Sequence, residues 1–286
     1  MVVLSCPIKI NLTLRVLSLR PDGYHNIFSA LWSKKGGEKL TISCYNDENT
    51  ANDLLEIKGL HVEGPNLVTK AISWARKRGA VIPPLYMQLL KLYPPGSGIG
   101  AGSGNAAAAV MWACGEYGIR LCPEDVLEIG ADVSFLASGN VLAFAEGTGE
   151  RIKPVCGSPG LVWVLGFPNW TSSTGEAYSL LDGYGAARGE VCSGGRPEEE
   201  ALGILEKLSR KNFVGLLPND FLMPALVGHR EYEDAFNAAR ASASLAWGLC
   251  GSGSAFFALC GDEETASKTE SLFKSMSWVI KTARVE

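Results

Sequence analysis

Much of what this chain could be is excluded by what it lacks. Its 286 residues include only three histidines, and its eight cysteines (positions 6, 44, 114, 122, 156, 192, 250 and 260) form no C-x-x-C pair. Without cysteines and histidines at ligand spacing there is no structural zinc site to assign. Scattered thiols in apolar runs behave as small hydrophobes, the usage of a reducing compartment. No signal-peptide pattern precedes the first strand, so the expectation is a cytoplasmic protein. No apolar run reaches about 18 residues, the length a membrane-spanning helix needs. Net charge is −4 and no basic run exceeds the triplet of Arg76, Lys77 and Arg78, which argues against nucleic acid as a partner. Two common phosphate loops are missing as well. There is no GK[ST] triplet, hence no Walker A lysine, and no glycines fall at G-x-G-x-x-G spacing, which removes the dinucleotide fingerprint and the protein-kinase loop.

What is present is a different glycine loop. Gly96, Gly98, Gly100, Gly102 and Gly104 alternate along the chain and lead into an alanine-rich run. Little side-chain bulk and free access to unusual φ/ψ let backbone N–H groups converge on one point. A helix expected from about residue 105 to 117 adds its own unclaimed N–H groups and the positive end of its dipole. The combination is an anion site, with phosphate as the natural occupant. A flexible linker is the plainer reading, but linkers separate domains, whereas this segment joins a strand-like run (85–92) to a strong helix former.

The rest of the chain, 47% hydrophobic, is large enough for one big core or two modest ones. Residues 8–16 alternate, with Ile10, Leu12, Leu14 and Val16 on one side and Lys9, Asn11, Thr13 and Arg15 on the other, the pattern of a half-buried strand. A turn at 20–26 is punctuated by Pro21 and Gly23. Further strands are expected at 39–44, 85–92, 141–145, 152–155 and 161–166. Helices are expected from an Asn66 N-cap to residue 77 and, briefly, from 123 toward 130. The C-terminal part reads as helices at 174–181, 197–209, 220–227 and 231–245, then strand 254–260, helix 263–275 and strand 278–283. Gly- and polar-rich residues 183–196 are the candidate mobile connection. Strands mixed with helices, without strict βαβ alternation, indicate an α+β fold of two lobes.

Four segments, in order along nearly the whole chain, resemble the GHMP small-molecule kinase superfamily. They are KINL from Lys9 continuing to RPDGYH (Arg20 to His25), the loop PGSGIGAGSGNAA from Pro95, IGADVSF from Ile129, and LCGSGSA from Leu249. Asn66, the Ser173-Thr174 pair and the Asn219-Asp220 pair are smaller echoes. The RPDGYH block sets apart the branch whose acceptor alcohol carries a cytidine diphosphate group from mevalonate, homoserine and galactose kinases. The resemblance implies a two-lobed architecture: a lobe like domain 2 of ribosomal protein S5 over residues 1–157, and a ferredoxin-like lobe over residues 158–286. It also implies ATP as phosphoryl donor and Mg2+ to neutralise the triphosphate, with no carboxylate to name as metal ligand. No obligate protein partner, membrane or nucleic acid is expected.

Carried over residue by residue, the resemblance gives Asp132 the role of base accepting the acceptor hydroxyl's proton. Without it, an aspartate after glycine reads as a helix N-cap. Lys9 is its partner, since a fixed cation favours an ionised aspartate and offsets developing charge. Tyr24 stacks on the cytosine and His25 bonds its edge, Tyr178 closes the far face, and Asn11, Gly251, Ser252 and Gly253 complete the acceptor side. ATP falls to Pro95, Gly96, Ser97, Gly98, Ile99, Gly100, Ala101, Gly102, Ser103, Gly104 and Asn105, with Asn66 lining the adenine pocket unless it is only a helix cap. Three places depart from the family pattern. Gly104 stands for its second serine, Ser134 stands for the proline after Val133, and residues 32–37 do not match. Two alternatives stay open: a kinase of the same superfamily for another small alcohol, and a non-catalytic metabolite-binding paralogue.

Overall fold

The computed structural model describes residues 1–44, 52–62, 64–183 and 196–286. All but the two ends of the expected mobile connection, 183–196, lie outside the described residues. The chain packs as two compact units that interleave in sequence: Met1–Lys9, Ser33–Pro95 and Gly100–Asn140 form the first, and Ile10–Trp32, Gly96–Ile99 and Val141–Glu286 the second. Two long strands, β1 (Val2–Leu19) and β2 (His25–Cys44), each run from one unit into the other.

In the first unit β4 (Leu85–Lys91) lies between β3 (Leu54–Gly59), which pairs with it in parallel, and the C-terminal half of β2, which pairs antiparallel from Lys39↔Leu90 to Cys44↔Leu85. Helices α1 (Leu67–Lys77), α2 (Ala101–Tyr117) and α3 (Ala131–Ala137) complete it. The short helix expected from 123 is a 3-10 turn, Pro123–Val126. Asn66 caps α1 as expected, its side chain accepting from the Val68 N–H. In contrast, α2 begins four residues earlier than the alanine run suggests, inside the glycine segment. Gly102 and Gly104 each cost a helix interior about 1 kcal/mol relative to alanine, and packing explains Gly104. A Cβ on Gly104 would sit 1.7 Å from the Pro7 carbonyl oxygen, so only glycine lets α2 lie this close to β1. Buried Ala106, Ala107, Ala109, Val110 and Ala113 continue that face.

The second unit pairs the N-terminal half of β2 with β5 (Leu142–Gly147), from Ile27↔Gly147 to Trp32↔Leu142, and β5 with β6 (Arg151–Val155). Its other sheet runs β11 (Val279–Val285), β7 (Val162–Pro168), β10 (Phe256–Cys260), β9 (Ala246–Leu249), β8 (Gly215–Leu216). One face of that sheet buries Val164, Trp247, Leu249, Phe256, Ala258 and Cys260 against helices α4 (Thr174–Gly183), α7 (Glu231–Ala241) and α8 (Glu263–Lys274). Helices α5 (Pro197–Ser209) and α6 (Leu222–Gly228) complete the unit. The helix expected over 231–245 stops at Ala241, and β9 follows after a turn. The chain turns at Ala243, whose φ is +66°, a conformation alanine rarely takes and that no glycine announces. The seven described cysteines are free thiols, and burial pushes the Cys6 thiol up to about 11. Among the described residues no helix is long and apolar enough to cross a membrane.

Candidate active site

Strand β1 is not half-solvated, as strict alternation predicted. Residues 8–14 are buried on both faces, and each polar residue from Lys9 to Arg15 has a defined partner. Lys9, 4% exposed, places Nζ 3.4 Å from Oδ2 of Asp132, whose side chain is 35% exposed. Asp132 is the second residue of α3, and Gly130, not the aspartate, occupies the cap position. A buried ammonium beside a carboxylate that solvent can reach is an arrangement able to accept a proton and hold charge in place. Gly100 adjoins the pair: a Cβ there would lie 3.2 Å from both Asp132 Oδ2 and Lys9 Cγ.

Asn11, the next polar residue on β1, accepts at Oδ1 from the Gly251 N–H (3.0 Å) and donates to Ser29 Oγ (2.9 Å). Asn219 donates to the Gly251 carbonyl at 2.8 Å. One asparagine therefore holds the Gly251 N–H and the other its carbonyl, which fixes the start of the loop Gly251–Gly253. Ser172 Oγ donates to the Ser252 carbonyl (2.9 Å), and Thr174 Oγ1 lies 3.2 Å from Ser252 Oγ, so the Ser-Thr echo and the GSG loop meet. Thr13 accepts from the Ala30 N–H. Arg15 bridges Glu200 and Asp220, which raises its already high pKa, chiefly through the bond to Glu200.

The glycine segment divides its labour. Gly96, Gly98 and Gly100 have φ of +69°, +78° and +67°, the left-handed region that glycine alone enters without strain. Between them Ser97 and Ile99 are buried and act as anchors. The Ser254 and Ala255 N–H groups donate to the Gly96 and Ser97 carbonyls (3.3 and 3.0 Å). A Cβ at Gly98 would meet the Cys250 carbonyl at 1.8 Å, so this position is closed to every other residue. At the start of α2 the first helical hydrogen bond is from the Gly104 N–H to the Gly100 carbonyl. That leaves the N–H groups of Ala101, Gly102 and Ser103 unclaimed by the helix.

Asn105 turns away from this opening. It is 2% exposed and donates to Glu38 Oε2 at 2.7 Å, while Lys91 Nζ contacts both Glu38 oxygens at 2.9 Å and Asn105 Oδ1 at 3.2 Å. Glu38 Oε1 also accepts from the Leu92 and Tyr93 N–H groups at 2.9 Å each. One fully buried carboxylate thus ties the end of β4 to the first turns of α2, the two stems of the loop. Glu38 and Lys91 were invisible to sequence reasoning, since a glutamate and a lysine in strands look like solvated side chains. Asn219 was seen only as an echo without a role.

At the RPDGYH turn Asp22 accepts from the Tyr24 N–H, and that bond, ahead of Arg20, holds its carboxyl below the usual range. Tyr24 is 66% exposed, His25 7%. His25 lies parallel to Tyr178, with planes 9° and centroids 5.1 Å apart. Tyr178 in turn meets Phe221 edge-on.

Two lobes of mixed strands and helices, a glycine loop opening onto a helix N-terminus, and a lysine–aspartate pair define a small-molecule kinase of the GHMP type. The family description "GHMP kinases N terminal domain" matches residues 66–148, and "GHMP kinases C terminal" matches 199–272. Named 4-diphosphocytidyl-2-C-methyl-D-erythritol kinase are a protein of Moorella thermoacetica, 32% identical over 92% of this chain and 91% of its own, and one of Parabacteroides distasonis, 32% identical over 93% of each. A crystal structure of 4-(cytidine 5'-diphospho)-2C-methyl-D-erythritol kinase superposes with a TM-score of 0.79 at 25% identity, covering 99% of this chain and 98% of that one. The chain belongs to the GHMP kinases and, within them, to the 4-diphosphocytidyl-2-C-methyl-D-erythritol kinase family.

Proposed function

We propose that this protein transfers the terminal phosphoryl group of ATP to the 2-hydroxyl of 4-diphosphocytidyl-2-C-methyl-D-erythritol, a step in non-mevalonate isoprenoid precursor synthesis. The observation that carries this reading is the Lys9–Asp132 pair at 3.4 Å, in a chain that also carries RPDGYH. Asp132 Oδ2 accepts the proton of the attacking hydroxyl, and Lys9 supplies a positive charge that offsets charge developing in the transition state.

The ATP phosphates lie against the glycine segment, whose fit rests on backbone. Positive φ at three alternate glycines, the unclaimed N–H groups of Ala101, Gly102 and Ser103, and a Gly98 position that no side chain can share all favour a bulky anion over a side-chain contact. Ser97 and Ile99, whose side chains are buried, contribute through the main chain, while Gly104, bound to the Gly100 carbonyl, and Asn105, bound to Glu38, shape the start of α2 that the phosphates meet. Asn66, committed to capping α1, reaches nucleotide only by its backbone or its rim. Among the described residues no group of three acidic, histidine or cysteine side chains is placed to hold a metal. Mg2+ would be held by the triphosphate oxygens, where it would neutralise their charge. His25, Tyr24 and Tyr178 take the cytosine, and the Gly251–Gly253 loop held by Asn11 and Asn219 approaches the substrate's diphosphate. In sequence we propose a lobe boundary near residue 157, between the two family matches, although by packing residues 141–157 go with the second unit.

The test is ADP release with ATP and Mg2+ against a panel of acceptors. Turnover with the cytidine-bearing alcohol, and none with mevalonate, homoserine or galactose, is the expected result. Turnover with another alcohol instead would discard the reading of Tyr24 and His25.

A further inference from the structure

The imidazole of His25 is approached from two sides by one helix. α4 carries Tyr178 and Asp182 four residues apart, which puts them on the same face. Tyr178 covers the ring, and Asp182 Oδ1 stands 3.0 Å from Nε2. Nothing in the sequence pattern singled out Asp182. The contact is close but oblique: Nε2 is buried and makes no directed hydrogen bond. Asp182 itself is about half exposed, so its carboxylate keeps its hydration and costs little to hold there.

A neutral imidazole has one N–H and one lone pair, and the environment of one nitrogen decides the character of the other. A carboxylate 3.0 Å from Nε2 attracts a proton to that nitrogen and repels a lone pair on it. Nδ1 is then the acceptor, and no hydrogen bond within the described chain occupies it. Cytosine carries an exocyclic amine, a donor, where uracil carries a carbonyl, an acceptor. A lone pair at Nδ1 favours the first and repels the second.

We propose that Asp182 is a specificity-determining positioning residue: by keeping the His25 proton on Nε2, it makes Nδ1 an acceptor that selects a cytosine over a uracil ring. Asp182 acts through His25 and does not touch the base. The inference rests on the assignment of His25 to the cytosine edge.

Three histidines in the chain, His25, His61 and His229, make the tautomer directly readable. Full-length protein labelled with 15N-histidine, with His25→Gln to assign its signals, is recorded above the imidazole titration. The expected result is an Nε2–H tautomer at His25 in the parent, a mixture in Asp182→Ala, and retention in Asp182→Asn, which keeps an oxygen acceptor. In parallel, calorimetry with CDP and UDP is expected to show a preference for CDP that shrinks about five- to tenfold in Asp182→Ala, the scale of one neutral hydrogen bond. An Nδ1–H tautomer in the parent, or a CDP preference untouched by Asp182→Ala, overturns the proposal alone. A parent protein that does not distinguish CDP from UDP overturns the assignment of His25 to the base, and this proposal with it.

Discussion

The stems of the glycine loop and the surroundings of His25 are both buried and polar, yet they are finished to different degrees. Around Glu38 every hydrogen-bonding direction is used: four donor groups converge on one carboxylate that is 0% exposed. Around His25 the ring is stacked and nearly covered, but its Nε2 lacks a directed bond. A fully satisfied network is rigid and costly to disturb. A buried nitrogen without one is inexpensive to lose and gains most when a ligand orders its neighbours. On the function proposed above, the phosphate loop is set before substrate arrives, and the base end is completed by substrate.

That contrast can be broken most forcefully at Lys91. Lys91→Met strands a buried carboxylate, so urea denaturation is expected to show a loss of about 3–5 kcal/mol; a loss below about 1 kcal/mol would mean that Glu38 finds other compensation. Next is Gly104→Ser, which restores the residue usual in the family. With the Pro7 carbonyl 1.7 Å from the added Cβ, the variant is expected to lose about 1–3 kcal/mol without gaining ATP affinity. A gain in affinity with no loss of stability would show that position 104 faces the nucleotide after all.

His25→Gln sharpens the comparison from the other side. The stacking on Tyr178 and the oblique contact with Asp182 are removed, so stability is expected to fall by about 0.5–1.5 kcal/mol, while affinity for the cytidine-bearing substrate falls much further. The reverse ranking would make His25 a structural residue. Smallest of all is Ser134→Ala. The Ser134 hydroxyl is fully buried and without a hydrogen bond among the described residues, and its removal is expected to be neutral or stabilising by less than about 1 kcal/mol in thermal melts.

Elements with local signals were legible in the sequence. α5 runs over Pro197–Ser209 as read, with proline in its first turn and three glutamates behind it. Asn66 caps α1 through the bond its residue type predicts. Where tertiary packing overrode local preference, the reading failed. β2 continues through the Lys-Lys-Gly-Gly run because Gly36 sits beneath Ile8, whose Cγ2 would lie 2.5 Å from an added Cβ. β9, just beyond the helix expected over 231–245, and β3 gave no recognised signal. At the site, chemistry-bearing residues were found through family resemblance, since nothing local relates Lys9 to Asp132 across the chain. The residues that hold them in place escaped. Glu38, Lys91 and Asp182 sit in ordinary strand and helix contexts, and their roles exist only in three dimensions.

In the proposed reaction Asp132 accepts the proton in a phosphoryl transfer to a cytidine-bearing alcohol. That role is tested most directly by comparing turnover of the parent and Asp132→Asn with ATP and that substrate, alongside calorimetric binding of the same substrate. The expected result is a loss of about 2–4 orders of magnitude in turnover, with binding and melting temperature nearly unchanged. Near-parental turnover in a folded Asp132→Asn would contradict it.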